Sequence, residues 1–308
     1  MSIVILFNQK KSEDWLLKIK ELLPNKKIEV YPDIEDKSKV EFLITWKPNE
    51  GYVNEFPNLK VVQSVGAGID HLLHTPLSDD IRITRIVDPA LKQDMFEFIL
   101  TNILISMKNM HFYAKEQSEK KWSPNDYKSI NNTTITILGL GEIGKLVAEK
   151  LSLLGFRVKG WSNSEKSIND VESFMGKEEL NQAISDTDFI VNILPLTSET
   201  AGILDTSFFN QLKDQTVLIN VARGGHLVDE DLINAIENNK IKESYLDVFN
   251  QEPLNENHPF WQNSAIHITP HIASITKPET AIQQVVENIT RLDNGEDLMN
   301  QVDLKRGY

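Results

Sequence analysis

Three polar residues of this 308-residue chain stand just past apolar, strand-like runs, where α/β sheets present side chains to ligands. His271 follows the run Ile266-His267-Ile268-Thr269, and Pro270 fixes the backbone immediately before it. Glu252 lies in Leu246-Asp247-Val248-Phe249-Asn250-Gln251-Glu252-Pro253-Leu254. A carboxylate beside a histidine orients the ring and favours its protonated form, which suits the pair to donating a proton near neutral pH. Arg223, one of six arginines, falls between the run ending Asn220-Val221-Ala222 and the turn Gly224-Gly225. A guanidinium there can grip a carboxylate with paired donors and polarise the neighbouring carbonyl. Taken singly, each has a plainer reading: a surface ion pair, a structural ring, a Glu-Pro turn. Their company is what changes this.

That company is a glycine turn. Gly139-Leu140-Gly141-Glu142-Ile143-Gly144 fits G-x-G-x-x-G, a string that alone means little more than a tight turn. Here it directly follows an apolar strand pattern and opens the amphipathic stretch EIGKLVAEKLSLLGF, the context a dinucleotide fingerprint requires. The first glycine permits the turn, the second lets a pyrophosphate approach, and the third lets helix pack on strand. The phosphates then rest on N–H groups at the helix N-terminus, around Glu142 and Ile143. About 20 residues on, an NAD-binding domain normally offers Asp or Glu to the ribose 2′-hydroxyl. Ser162 stands there instead, followed by Asn163 and then Lys166. A missing carboxylate removes repulsion against a 2′-phosphate and Lys166 adds a positive partner, so NADP(H) is favoured. NAD(H), held by hydroxyl contacts, is the alternative.

The elements that must position these residues alternate along the whole chain. Strand patterns at Ile3–Phe7, Val40–Trp46, Leu59–Val65 and Ile81–Val87 are separated by helical or turn-rich pieces such as Asp14–Leu23. One long helix is expected over Pro89–Glu119, then a loop over Trp122–Asn132. A second set of strands follows at Thr134–Leu138, Arg157–Trp161, Phe189–Leu194, Val217–Val221, Ser244–Phe249 and Ile266–Thr269. A last helix over about Pro278–Asp293 returns to the first set. The expected fold is α/β: two Rossmann-like domains with parallel sheets, the substrate domain split in sequence. Residues 1–100 with 281–308 form that domain and residues 101–280 the NAD(P)-binding one.

Composition narrows the function. An apolar fraction of 40% and a charged fraction of 25% are those of a globular chain. The opening MSIVILF reads as a buried strand rather than a signal peptide, and no apolar run approaches the ~20 residues of a membrane span. With no cysteine, disulfides and thiolate metal sites are excluded, and a reducing cytoplasm is expected. A net charge of −13 argues against nucleic acid or an anionic membrane as partner. His71 and His74 have helical spacing, but with Asp70 as the only adjacent carboxylate a solvated helix start is expected, and no metal site. His226 and His258 read as loop residues.

These motifs together resemble the D-isomer-specific 2-hydroxyacid dehydrogenase family, most nearly its glyoxylate/hydroxypyruvate reductase A branch. The match runs in order from Trp46 and SVGAGIDHL through MFEF and GLGEIG to NVARGG, LDVFNQEPL and TPHIAS, covering most of the chain. The resemblance implies an active site in a cleft between the two domains, whose closure excludes water, and reduction of a small 2-oxo acid to the D-2-hydroxy acid. It assigns substrate binding to Arg223, proton donation to His271, the paired acid to Glu252, and a place on the nicotinamide side to Asp247. It implies that the N–H groups of Ala67 and Gly68 hold the substrate carboxylate, with further contacts from Trp46 and Arg85. Relatives that prefer NADP often carry arginine where this chain has Asn163. A homodimer through the helix Pro89–Glu119 is also implied. Two rival readings remain: a 3-phosphoglycerate dehydrogenase-like enzyme, against which the short run after the last helix leaves no room for a regulatory domain, and a non-catalytic nucleotide sensor.

Overall fold

A computed structural model describes residues 1–8, 11–72, 77–78 and 80–302, so His74 lies outside the described residues. The chain divides into two compact units, Met1–Leu91 with the chain from Thr276 onward, and Lys92–Ile275.

In the first unit, β1 (Ser2–Phe7), α1 (Glu13–Leu22), β2 (Lys27–Val30), β3 (Val40–Trp46), β4 (Val61–Ser64) and β5 (Arg82–Thr84) build a parallel sheet in the order β2-β1-β3-β4-β5. Parallel strands covered on both faces read as continuous apolar runs, and β1 is buried almost throughout. Alternate residues feed two cores. Ile3, Ile5, Phe42 and Ile44 meet Trp15 and Ile19 of α1 and Ala281, Val285 and Ile289 of the helix Pro278–Asn294. Val4, Leu6 and Leu43 meet Tyr52, Phe56 and Leu72 on the other face. The C-terminal helix thus completes a core that the first residues of the chain begin.

In the second unit, α2 (Pro89–Met107) and α3 (Met110–Ser118) precede β6 (Thr134–Leu138), α4 (Glu142–Leu153), β7 (Arg157–Ser162), β8 (Val171–Met175), α5 (Gly176–Ile184) and β9 (Phe189–Asn192). Then come α6 (Thr206–Gln211), β10 (Thr216–Asn220), α7 (Asp229–Glu237), β11 (Ile241–Leu246) and β12 (Ile266–Ile268); the helix Pro278–Asn294 is α8. The seven strands are parallel, in the order β12-β11-β10-β9-β6-β7-β8. The order reverses between β6 and β9, the switch point where such sheets take their ligands. Register aligns the strand ends: Leu138 lies opposite both Trp161 and Asn192, Asn220 opposite both Asn192 and Leu246, and Leu246 opposite Ile268.

Three details differ from the sequence-based expectation. The long helix breaks at Asn109, whose φ of 53° is left-handed and whose Nδ2 donates to Asp126 O at 3.1 Å. Asparagine tolerates that conformation, and the following loop uses it as an anchor. The strands β2 and β8 have no counterpart in the expected set. Both are short edge strands, KIEV and VESFM, whose charged residues dilute the apolar signal. The unit boundaries fall at Leu91/Lys92 and Ile275/Thr276 rather than at 100/101 and 280/281. The physical reason lies in α2, whose Met95, Phe96, Ile99, Ile103 and Met107 pack into the core of the second unit.

Candidate active site

The end of β12 is held from below by a buried carboxylate. Asp247, 1% exposed, accepts from Thr269 Oγ1 at 2.6 Å and Ile272 N at 2.8 Å through Oδ1, and from Ala273 N at 2.8 Å through Oδ2. Burial pushes its carboxyl up, against the Thr269 hydroxyl and two N–H groups that favour the charged form. Between those donors sits His271, with a left-handed φ of 55°. Such a backbone is unfavourable for a histidine and persists where its surroundings over-determine it, commonly at functional sites. Its Nδ1 lies 2.9 and 3.0 Å from the two oxygens of Glu252, and Glu252 Oε1 also accepts from Phe249 N at 3.2 Å. Because a carboxylate only accepts, Nδ1 carries the proton, and Nε2 is left to gain or give one.

Arg223 lies three residues past β10. Asn220 Oδ1 accepts from Ala222 N at 3.2 Å and Asn192 Nδ2 at 3.1 Å, while Asn220 Nδ2 donates to Arg223 O at 3.3 Å. The half-buried guanidinium donates from Nη1 to Ala222 O at 2.6 Å. Gly224 admits no side chain: a Cβ would stand 1.9 Å from the carbonyl carbon of Phe249. That backbone contact ties the arginine turn to the loop carrying Glu252. His226, expected on a loop surface, is instead wholly buried, its ring nitrogens each 3.2 Å from the carbonyls of Arg223 and Pro195. Nothing in its sequence neighbourhood signals that clamp. His258 lies 3.3 Å from Asp229 and caps the turn Pro259–Gln262.

The glycine turn joins β6 to α4 with three different demands. Gly139 has φ of 103°, and Gly139 N donates to Trp161 O at 2.8 Å. A Cβ on Gly144 would meet Gly139 O at 1.8 Å, so close helix–strand packing requires that glycine. At Gly141 a Cβ would have nothing within 4 Å. Steric contact within the chain therefore does not explain Gly141, whereas a pyrophosphate drawn against the backbone does, and the turn fits a dinucleotide. Glu142 pairs with Lys92 at 2.5 Å, and Ile143 packs against the core beneath. At the end of β7, buried Ser162 donates its hydroxyl to Ser164 O at 2.7 Å, and exposed Asn163 donates to Glu199 at 3.1 Å. Lys166 is exposed.

The first unit gathers Trp46, Ala67, Gly68 and Arg85 at the ends of β3, β4 and β5. Arg85 Nη1 donates to Ala67 O at 3.2 Å. The Trp46 ring lies against Gly66, where a Cβ would come within 2.4 Å of it, and 4.7 Å between centroids from the imidazole of His71, which is buried here and not on the solvated helix start expected. Ser64, which the motif reading passed over, organises this loop: its hydroxyl accepts from Gly66 N at 3.1 Å and donates to Gly68 O at 3.2 Å. Among the described residues no three His, Asp or Glu side chains gather as they do around a metal ion, and no helix is long and apolar enough to cross a membrane.

The chain is similar to known proteins over its full length. The family model described as D-isomer specific 2-hydroxyacid dehydrogenase, NAD binding domain, matches residues 100–273. A glyoxylate/hydroxypyruvate reductase A of Yersinia enterocolitica is 36% identical over 314 residues, covering 100% of both chains. A crystal structure of a D-isomer specific 2-hydroxyacid dehydrogenase from Xanthobacter autotrophicus, in complex with NADPH and MES, is 34% identical and superposes over 100% of both chains with a TM-score of 0.93. An NADPH-dependent glyoxylate/hydroxypyruvate reductase from Sinorhizobium meliloti, solved with NADP and sulfate, is 29% identical, also with a TM-score of 0.93 and 100% of both chains covered. With the motifs, the strand orders and full-length similarity in agreement, the chain belongs to the D-isomer-specific 2-hydroxyacid dehydrogenase family.

Proposed function

We propose that this protein reduces a small 2-oxo acid of the glyoxylate or hydroxypyruvate kind to the D-2-hydroxy acid, with NADP(H) favoured and NAD(H) accepted. The observation that carries this reading is the Glu252–His271 pair, in contact at 2.9 Å and set on a strained backbone in the same unit as the glycine turn. The nicotinamide, when bound, supplies the hydride. Gly139, Gly141 and Gly144, with the first turn of α4 at Glu142 and Ile143, receive its pyrophosphate, and Ser162, Asn163 and Lys166 surround the ribose 2′ position. Ala67 and Gly68 offer N–H groups to the substrate carboxylate, and Trp46 and Arg85 bound the substrate in the first unit. Arg223 grips the acid and polarises its C2 carbonyl, stabilising negative charge as it develops on oxygen. His271 delivers its Nε2 proton to that oxygen, while Glu252, in contact with Nδ1, holds the ring in the required tautomer and orientation. Asp247 holds the loop from which His271 acts and borders the nicotinamide.

The absence of cysteine fits a cytoplasmic enzyme. A homodimer is part of this reading, but the helix expected to form its interface spends Phe96, Ile99, Ile103 and Met107 on its own core, so the apolar surface left for a second copy is Trp122, 97% exposed in a run where every residue from 121 to 129 is exposed. Oxidation of NADPH and NADH, followed by absorbance with glyoxylate, hydroxypyruvate and bulkier 2-oxo acids, tests the central reading. Turnover of the two small acids is the expected result. Nucleotide binding without turnover of any 2-oxo acid would favour a sensor, and turnover confined to phosphorylated substrates would favour the phosphoglycerate branch.

A further inference from the structure

The carboxylate absent from the end of β7 returns from a neighbouring loop. Glu199 lies beyond β9 in Pro195-Leu196-Thr197-Ser198-Glu199-Thr200, and hydroxyls lock that loop. Buried Thr200 donates through Oγ1 to Pro195 O at 2.6 Å and accepts from Thr197 N at 2.9 Å, while Glu199 N donates to Thr197 Oγ1 at 3.3 Å. The exposed Glu199 carboxylate then accepts from Asn163 Nδ2 at 3.1 Å. Asn163 directly follows the strand end where a fold of this strand order places the ribose of its dinucleotide.

We propose that Glu199 is a specificity residue for the nucleotide, acting against a 2′-phosphate and so keeping the preference for NADPH over NADH small. The inference rests on the nucleotide reading above. A ribose 2′-hydroxyl can donate to a carboxylate, whereas a 2′-phosphate brings negative charge and no hydrogen to give. Two of the donors that would receive the phosphate are also engaged: Asn163 holds Glu199, and the Ser162 hydroxyl holds Ser164 O. Of the charged groups in the adjoining exposed run, Glu165 opposes a phosphate and Lys166 attracts one. Both strand-end acid and strand-end arginine are missing, so a single neighbouring charge has unusual weight in the choice.

The test is equilibrium binding to the full-length protein, which needs no turnover. NADPH, NADH, 2′,5′-ADP and 5′-AMP are titrated by calorimetry or fluorescence into the parent, Glu199→Gln and Glu199→Lys, at low and high salt. Expected for Glu199→Gln is a gain of roughly three- to tenfold in affinity for NADPH and 2′,5′-ADP, with NADH and 5′-AMP little changed. Glu199→Lys should move further in the same direction, and added salt should shrink both gains. If all variants still bind nucleotides with an unchanged NADPH/NADH ratio, Glu199 is only a structural tie to Asn163 and the inference is overturned. If the parent binds none of the four compounds, the nucleotide reading itself fails and takes this inference with it.

Discussion

At the end of β12 the polar groups around His271 are each tied to another: Asp247 takes three donors, Glu252 takes the ring and Phe249 N, and Gly224 presses the arginine turn onto the same loop. At the end of β7, in the same sheet, Ser162 is buried, but Asn163, Glu165 and Lys166 are exposed and the main tie across to another loop is the single Asn163–Glu199 hydrogen bond. The difference fits the tasks proposed for the two ends. Proton delivery fails when a donor is displaced by an ångström, so its surroundings must be rigid. Discrimination of a 2′-phosphate from a hydroxyl is a matter of local charge, which a few exposed side chains can set and which screening softens.

If that contrast holds, substitutions at the β12 end should damage the rate, and those at the β7 end should redistribute cofactor use without loss of rate. The largest effect is expected for His271→Ala, a fall of ~10²–10⁴-fold in kcat with NADPH binding nearly intact. Steady-state kinetics beside a nucleotide titration checks it, and near-normal kcat would dismiss the proton-donor role. Arg223→Ala should lose about 10²–10³-fold in kcat/KM, with effects on both parameters, and Arg223→Lys should recover only part, since a point charge cannot reproduce a two-point grip. Recovery to parental kcat/KM by lysine would refute the paired grip.

Asp247→Asn separates support from contact. An amide cannot accept from all three donors without turning its NH₂ toward one of them, so about 1–3 kcal/mol of stability should be lost. The displaced His271 should cost roughly 10- to 100-fold in kcat. Thermal melts and kinetics would show both losses together; weakened NADPH binding with intact kcat would instead make Asp247 chiefly a nicotinamide contact. At the other strand end, Ser162→Asp should shift the kcat/KM ratio toward NADH by about tenfold with total activity retained, because a carboxylate accepts from a 2′-hydroxyl and repels a phosphate. A shift toward NADPH would mean the strand end has been misassigned.

The smallest effect concerns pH and the flank of the rigid end. His267 on β12 stacks on His111 at 3.8 Å and lies tilted against Tyr245 at 4.6 Å between centroids. Burial pushes its pKa down to about 4, His111 acts in the same direction and Glu243 opposes. Its folded value lies below the ordinary 6.5, so the unfolded chain binds the extra proton in that window. The stability it contributes is complete above pH 6.5 and is lost as pH falls toward 4. His267→Gln should therefore flatten the fall of Tm across that range; an unchanged slope would show that the stacked ring does not couple to folding.

Sequence alone determined the class of fold, because parallel strands buried on both faces must be continuously apolar and a glycine turn between strand and helix has few other uses. It also marked Arg223, Glu252 and His271 as candidates, since each follows a recognisable strand by a fixed few residues. It did not reveal β2 and β8, whose mixed residues carry little periodic signal, nor the break at Asn109, where one residue's tolerance of a left-handed backbone interrupts an otherwise helical run. The tertiary structure alone decided which groups meet. His226 sits under Arg223, Asp247 under His271, Ser64 beneath Gly66 and Gly68, and Glu199 beside Asn163. The last pair is 36 residues apart in the chain. The first and third of these are each local to one loop, whereas the Asp247 and Glu199 partnerships arise from the lateral order of strands in a sheet, which sets β11 beside β12 and β6 between β7 and β9 and leaves no trace in local sequence.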